Sequence, residues 1–129
     1  MGKEVGEIIG KRKLYCNGSK KKFLTVTLGK PRKMEDGDWE CPFHITGLSV
    51  QKGYGVDAIQ ALCSSLEEIR VTLNNRKERL SWMTREPGDT GFERLVPSSC
   101  GLELTQRINL MIDREIARFV NALKQKPGS

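Results

Sequence analysis

The apolar residues of this chain change their spacing near residue 56, from every second position to every third or fourth. Between Lys22 and Leu28, and again between Trp39 and Thr46, apolar and polar side chains alternate, which is typical of half-buried strands. After Asp57 the apolar residues recur as on one face of a helix. Because strands precede helices, the pattern favours an α+β fold with an antiparallel sheet.

The N-terminal half predicts a hairpin followed by a third strand. The hairpin strands are predicted over Glu7–Cys16 and Lys22–Leu28. After the first strand, Asn17-Gly18 tolerates the positive φ of a tight turn, and the alternative is a loop that extends to Lys22. The third strand, over Trp39–Thr46, contains Pro42, which lacks a backbone donor, so we expect an edge strand or a bulge there. Residues 29–38 are expected to be a connection. Short strands over Ser49–Tyr54, Arg79–Met83 and Phe92–Val96 would bring the sheet to four to six strands.

Two amphipathic helices are predicted to follow. Asp57 with Gln60 forms a capping box for the first helix, which ends at Asn74-Asn75. The second helix, over Leu102–Lys124, carries the strongest periodic signal. Each helix has one apolar face, so we expect both to pack on the same side of the sheet. The two stripes are Ile59, Leu62, Cys63, Leu66, Ile69 and Leu73, then Leu104, Ile108, Met111, Ile112, Ile116, Phe119, Val120 and Leu123.

The chain length of 129 residues fits one domain. We expect a single domain over residues 1–129, with residues 1–6 and 125–129 frayed. No apolar run has the length of a secretory leader or a membrane span, so we expect a cytoplasmic protein with no membrane partner. Its cysteines, which form no Cys-x-x-Cys pair, are then expected to be reduced. They are Cys16, Cys41, Cys63 and Cys100.

Positive charge is concentrated at the N-terminus. Residues 1–33 hold ten Lys/Arg and two Glu, whereas the other residues hold twelve basic and fourteen acidic side chains. A hairpin would bring lysine clusters together as a patch for phosphates, with Tyr15 and Phe23 as the available aromatic residues. The alternative role of the same lysines is to keep a hairpin edge soluble or to face a protein partner. The candidate basic patch is Lys11, Arg12, Lys13, Lys20, Lys21, Lys22, Lys30, Arg32 and Lys33.

No pattern of reactive side chains predicts catalysis or metal binding. His44 is the one histidine, and on a strand it points away from Cys41, so a Cys-His pair would need a bulge. Acidic residues cluster in a turn and on the flank of a helix, where carboxylates usually stay solvated. The acidic turn contains Glu35, Asp36 and Asp38, and the helix flank contains Glu67 and Glu68. Gly53-Tyr54-Gly55 lacks the spacing of a phosphate-binding loop. We therefore expect no catalytic residue, no metal ligand and no cofactor.

Three large aromatic residues are candidates for a protein interface. Trp39, Tyr54 and Trp82 could anchor a partner, since aromatic side chains supply much of the energy of interfaces. The alternative is that the tryptophans belong to the core, which is common in a chain of this size.

One segment resembles a known family of small, uncharacterised bacterial domains. The matching features are Asp38-Trp39-Glu40-Cys41-Pro42-Phe43, then Gly47-Leu48, then a helix that opens with residues 55–62, Gly-Val-Asp-Ala-Ile-Gln-Ala-Leu. The resemblance is clearest over residues 38–73 and implies a bacterial cytosolic protein. It carries no functional residue, because the family has no established activity.

By exclusion, we expect a non-enzymatic protein-interaction module in a bacterial cell, such as an immunity-type or regulatory accessory protein. Its partner would be an unidentified protein, and the chain itself a monomer or a homodimer. The alternative is a nucleic-acid-binding module that uses the basic N-terminal hairpin. A third hypothesis is an enzyme whose active site has no recognisable sequence motif. It would need a deep pocket around Cys41, His44 or the acidic turn of residues 35–38.

Overall fold

A computed structural model describes residues 2–19, 21–83, 85–96 and 98–125, without the side chains of residues 2 and 3. The chain divides into two compact units, one ending at Arg94 and the other beginning at Leu95. The first unit holds a six-stranded antiparallel sheet, and each unit holds one long helix. The predicted α+β class is confirmed.

The sheet has the strand order β3-β4-β2-β1-β6, and β5 pairs with β4. Every pairing among these strands is antiparallel. The predicted strand over Phe92–Val96 is wrong, because these residues form no strand. A two-residue strand lies instead within the predicted connection. The strands are β1 Ile8–Cys16, β2 Phe23–Gly29, β3 Arg32–Lys33, β4 Trp39–Ile45, β5 Gln51–Gly55 and β6 Leu80–Trp82.

The predicted hairpin is formed by β1 and β2. Asn17 and Gly18 take φ of 52° and 76°, the positive values that the turn requires. Leu14 pairs with Leu24, and both are buried. Since side chains alternate along each strand, this register places Tyr15 and its partner Phe23 on the opposite side of the sheet.

Pro42 does not mark an edge strand, so that alternative is wrong. β4 pairs with β5 on one side over Trp39–Phe43, with no register shift recorded. On its other side β4 pairs with β2 over Phe43–Ile45 and with β3 over Trp39–Glu40. Pro42 lies between these last two pairings, where its missing N–H removes no ladder bond on that side.

The long helix of the first unit, α2 (Ala58–Asn74), begins as predicted. Asp57 Oδ1 accepts a hydrogen bond of 2.8 Å from the Gln60 N–H, and Gln60 Oε1 accepts one from the Val56 N–H. The buried face differs from the predicted stripe, since Ile59 is 73% exposed. The helix buries Ile69 and Leu73, which belong to the predicted stripe, together with Ala61 and Ser65, which do not.

The hydrophobic core lies between α2 and one face of the sheet. Side chains from four strands and the helix form it, and Phe43, at the centre of β4, is fully buried. The core residues are Leu14, Cys16, Leu24, Val26, Phe43, Ile45, Ile69, Leu73 and Leu80. We call the sheet face that α2 covers the inner face and the opposite one the outer face.

Of residues 1–6, which the sequence predicts to be frayed, the structure describes residues 2–6. The segment Gly2–Val5 forms a one-turn helix, α1, and Val5 is 2% exposed. A side chain at Gly29 would lie 2.5 Å from the Val5 carbonyl oxygen, so Gly29 allows α1 to approach the sheet closely.

In the second unit, helix α3 covers Leu102–Gln125, close to its predicted bounds. None of its residues is buried, so the predicted burial of its apolar stripe is not observed. Residues 126–129 of the predicted frayed tail lie outside the described residues. No helix among the described residues is both long and apolar enough to span a membrane.

Candidate functional site

The outer face of the β1–β2 hairpin carries lysines and aromatic rings side by side. Lys11, Lys13 and Tyr15 alternate along β1 with residues of the inner face. Lys11 and Lys13 pair across the strands with threonines, and Tyr15 pairs with Phe23. We call Lys11, Lys13, Tyr15 and Phe23 the outer-face patch.

The two rings of the patch contact each other; that of Phe23 is exposed and that of Tyr15 is half-buried. The ring centroids of Tyr15 and Phe23 are 6.4 Å apart, with an angle of 66° between the planes, which is an edge-to-face arrangement. Lys13 Nζ lies 4.2 Å from the centroid of Phe23. Phe23 is 47% exposed. The patch thus combines an accessible aromatic surface with ammonium groups, which suits flat, negatively charged ligands.

A groove adjoins the patch at Tyr15. Its volume is about 440 Å³, within the range of small-molecule sites. Tyr15 pairs with Ser81 of β6, which places the groove on the outer face beside Phe23. Arg85 is the charged residue among the described residues of its lining. The lining residues are Tyr15, Gly18, Ser19, Ser81, Met83, Arg85 and Pro87.

Two residues of the groove wall are held in unusual ways. Met83 has φ of 57°, a conformation that residues other than glycine rarely adopt, and its side chain is 64% exposed. Arg85 donates to Asp89 Oδ1 over 3.3 Å, and its guanidinium lies 4.7 Å from the ring centroid of Trp82. Strained backbone and side chains held by neighbours are typical of binding sites.

The structure brings only part of the predicted basic patch together. Lys11 and Lys13 lie on the outer face, and Lys21 and Lys22 are exposed in the loop between β1 and β2. Lys30 and Arg32 instead form ion pairs with Glu7 and Glu40. Lys33 is exposed on β3, which is separated from β1 by two strands, β4 and β2. Lys20 lies outside the described residues.

Arg12 belongs to the inner face rather than to a phosphate-binding surface. Its guanidinium lies 3.8 Å from the ring centroid of Trp82 and 4.6 Å from that of Phe92. It also donates a hydrogen bond to the carbonyl of Thr90. Burial, together with the nearby charge of Arg85, lowers the pKa of Arg12. Arg12 therefore acts as a packing residue within the first unit.

The predicted aromatic anchors do not share one surface. Trp39 and Tyr54 lie on β4 and β5, whereas Trp82 lies on β6, beyond β2 and β1 in the strand order. Tyr54 is 56% exposed, while Trp39 and Trp82 are half-buried. Trp82 packs against Arg12 and against the backbone of Gly91.

Cys41 and His44 do not form a reactive pair. Cys41 is buried, and its thiol donates to the Gly29 carbonyl over 3.4 Å. Burial raises the pKa of this thiol, and the hydrogen bond with Ser65 offsets the rise only in part. Among the described residues, His44 Nε2 is the buried side-chain nitrogen without a hydrogen-bond partner. The described residues also contain no group of three His, Cys, Asp or Glu that could hold a metal ion.

The glycines of Gly53-Tyr54-Gly55 serve packing between the strand and the helix. A side chain at Gly53 would lie 2.4 Å from the backbone nitrogen of Ser65, and one at Gly55 the same distance from that of Ala61. The segment therefore lets α2 approach β5 closely.

Sequence reasoning noted Tyr15 and Phe23 but did not identify the groove. The Asn17-Gly18 turn predicts a hairpin but not this cross-strand pairing, because six residues separate Cys16 at the end of β1 from Phe23 at the start of β2, more than in a two-residue turn. No sequence signal placed Met83 and Arg85 beside them, since that contact depends on how β6 pairs with β1.

No curated protein and no solved structure matches the chain. The sequence does match the family DUF6968, a domain of unknown function, over residues 10–94. This confirms the predicted resemblance to a family without an established activity. The matched region contains the outer-face patch and the groove. The chain therefore belongs to the DUF6968 family, whose domain includes the whole candidate site.

Proposed function

We propose that the chain is a non-enzymatic binding module whose outer-face patch binds single-stranded nucleic acid. The observation that carries the proposal is the accessible Tyr15–Phe23 ring pair with Lys13 against it. Bases of single strands stack on such rings, while lysines contact the phosphates on either side.

The charge of the chain supports a polyanionic ligand. The formal net charge is +6, and ten of the 22 basic residues lie within residues 1–33. Lys11 and Lys13 are exposed on the same strand face as Tyr15. Glu40, an acidic residue on β4, is already paired with Arg32 and Lys52, at 3.1 Å and 3.0 Å.

The aromatic rings favour a single strand over a duplex as the ligand. Bases inside a duplex are stacked on one another, so their faces are not available to Tyr15 and Phe23. The expected specificity is low, because base stacking tolerates any sequence.

The direct experiment is a fluorescence anisotropy titration of the full chain into labelled strands of about 12 nucleotides, a length within the site sizes of known single-strand binders. DNA and RNA strands of mixed sequence are compared with the matching duplexes. We expect binding to the single strands and weaker binding to the duplexes. With phosphate contacts from Lys11 and Lys13, raising the salt from about 50 to about 200 mM should weaken binding about seven-fold. Absence of binding at about 100 μM protein and low salt would refute the proposal.

A second candidate function is binding to a protein partner, and a specific observation favours it. The apolar stripe of α3 is exposed, including Met111 at 66% and Phe119 at 64%. Exposed apolar stripes are typical of interaction surfaces. An immunity-type or regulatory accessory role in the bacterial cytoplasm belongs to this candidate, and so does a homodimer.

Two variants of adjacent residues separate this candidate from non-specific adhesion. Met111 lies in the stripe. With 100° of rotation per residue, Leu110, which is 53% exposed, lies roughly opposite the centre of the stripe. We expect Met111→Asp to abolish capture of a partner from the native host, or self-association, while Leu110→Asp retains it. If both variants behave like the wild type, the stripe is not an interaction surface.

A further inference from the structure

We propose that the groove beside the patch receives one unstacked base of the bound strand, with Arg85 facing its phosphate. This inference rests on the proposed function and extends it from a flat stacking surface to a site with a pocket. Its ligand class is a single-stranded oligonucleotide whose bases can separate from one another.

Continuity of the two surfaces is the first argument. Tyr15 belongs to both, since its ring contacts Phe23 and also lines the groove. On the sheet, Tyr15 lies between Phe23 of β2 and Ser81 of β6, its two cross-strand partners. A strand that stacks a base on Phe23 and continues across Tyr15 therefore reaches the groove.

The groove lining is the second argument. Tyr15, Met83 and Pro87 supply apolar contacts for the faces of a base. The Met83 side chain is exposed, and its backbone has a positive φ. A polarisable thioether and an aromatic ring are both suited to contact with a flat π-system. A volume of about 440 Å³ is within the range of sites that take small molecules.

The position of Arg85 is the third argument. Arg85 lines the groove, its guanidinium pairs with Asp89 and lies against the Trp82 ring, and its side chain remains 48% exposed. A guanidinium that is fixed and still accessible can form paired hydrogen bonds with a phosphate at little entropic cost. The same charge disfavours a basic peptide as the occupant.

The methionines of the chain offer a direct test. The sequence contains Met1, Met34, Met83 and Met111, of which Met83 lines the groove. The full chain is labelled with ¹³C at the methionine methyl groups and titrated with an unlabelled single-stranded oligonucleotide of about 12 nucleotides. Met83→Leu assigns the signal. We expect the Met83 methyl signal to shift upfield from the ring current of a base, while the Met34 and Met111 signals stay in place.

Arg85→Gln provides an independent measurement, with Arg118→Gln as its control. Both arginines form an exposed ion pair, Arg85 with Asp89 and Arg118 with Glu115, so both changes remove one charge and one pair. We expect Arg85→Gln to weaken oligonucleotide binding about ten-fold and Arg118→Gln to leave it within about two-fold, given the strength of charge-assisted bonds.

The outcomes separate the groove from the patch. If anisotropy reports binding while the Met83 signal stays in place at saturation, or if Arg85→Gln and Arg118→Gln bind equally well, the groove inference is wrong and the patch remains the site. If no oligonucleotide binds at all, both the groove inference and the proposed function are wrong.

Discussion

The backbone N–H of Gly53 on β5 donates a hydrogen bond of 2.9 Å to the hydroxyl of Ser65 on α2. The same hydroxyl donates to the carbonyl of Cys41 over 2.6 Å. Ser65 is completely buried, so the serine joins two strands to the helix inside the core. These hydrogen bonds hold α2 against the inner face of the sheet. The outer face, which carries the patch, is therefore on the side that α2 does not cover.

The first prediction concerns the space at Gly53. In Gly53→Ala the new methyl group would lie 2.4 Å from both the backbone nitrogen and the hydroxyl of Ser65. We expect the free energy of unfolding to fall by about 3 kcal/mol, because backbone has to move to relieve the overlap. Urea denaturation measures the change. Gly10→Ala is the control, since nothing lies within 4 Å of its added methyl group; its stability should stay within about 0.5 kcal/mol of the wild type. Equal stability of the two variants would contradict the close packing.

Local signals in the sequence predicted the hairpin and the start of α2. Asn17-Gly18 turns the chain at the end of β1, and Asp57 caps the helix, because each effect acts over a few residues. The buried face of α2 is predicted correctly at Ile69 and Leu73 but wrongly in the first half of the helix. Periodicity pointed to Ile59, whereas the glycines of β5 admit the small side chains of Ala61 and Ser65. Which strand lies under a helix is a long-range property that periodicity does not report.

The candidate site was only partly predictable for the same reason. Alternation along β1 places Lys11, Lys13 and Tyr15 on one face, but the pairing of Tyr15 with Phe23 depends on the length of the loop between the two strands. Arg12, between two of these residues, was included in the basic patch although alternation turns it to the inner face. The groove depends on a non-local pairing of β6 with β1 and on the loop that follows β6.

The second prediction separates Arg12 from its neighbour Lys13. Arg12→Gln should lower the free energy of unfolding by about 1–2 kcal/mol, because it removes the stacking of the guanidinium on Trp82 and Phe92. Its affinity for oligonucleotides should stay unchanged. Lys13→Gln should leave stability within about 0.5 kcal/mol and reduce the slope of log K against log salt by about 0.7. Denaturation and anisotropy on both variants measure the two effects. A loss of stability in Lys13→Gln together with a reduced salt slope in Arg12→Gln would refute the placement of these side chains.

The third prediction concerns the pH dependence of stability. Although burial raises the pKa of Glu40, the hydrogen bonds from Lys52 and Arg32 outweigh it and lower that pKa below its ordinary value of 4.5. Below pH 4.5 the unfolded state therefore binds more protons than the folded state, so this contribution is present above that pH and is lost as the pH falls through the folded-state pKa.

Glu40→Gln should therefore lower the free energy of unfolding by about 1 kcal/mol near neutral pH. It should also flatten the fall in stability below pH 4.5. Thermal or urea unfolding across the acid range measures both effects. Glu35→Gln, at an exposed position before β4, is the control and should follow the wild-type curve. A Glu40→Gln curve parallel to that of the wild type at every pH would rule out the paired carboxylate as a source of the pH dependence.

The central claim is that accessible aromatic rings on the outer face bind the bases of a single strand. Its most direct test compares the oligonucleotide affinities of Phe23→Ala and Tyr54→Ala by anisotropy. The two residues are similarly exposed aromatic side chains, at 47% and 56%, but Tyr54 lies on β5, away from the patch. Loss of one stacking contact should weaken binding by Phe23→Ala about ten-fold or more, while Tyr54→Ala binds like the wild type. Equal affinities of the two variants would contradict the claim.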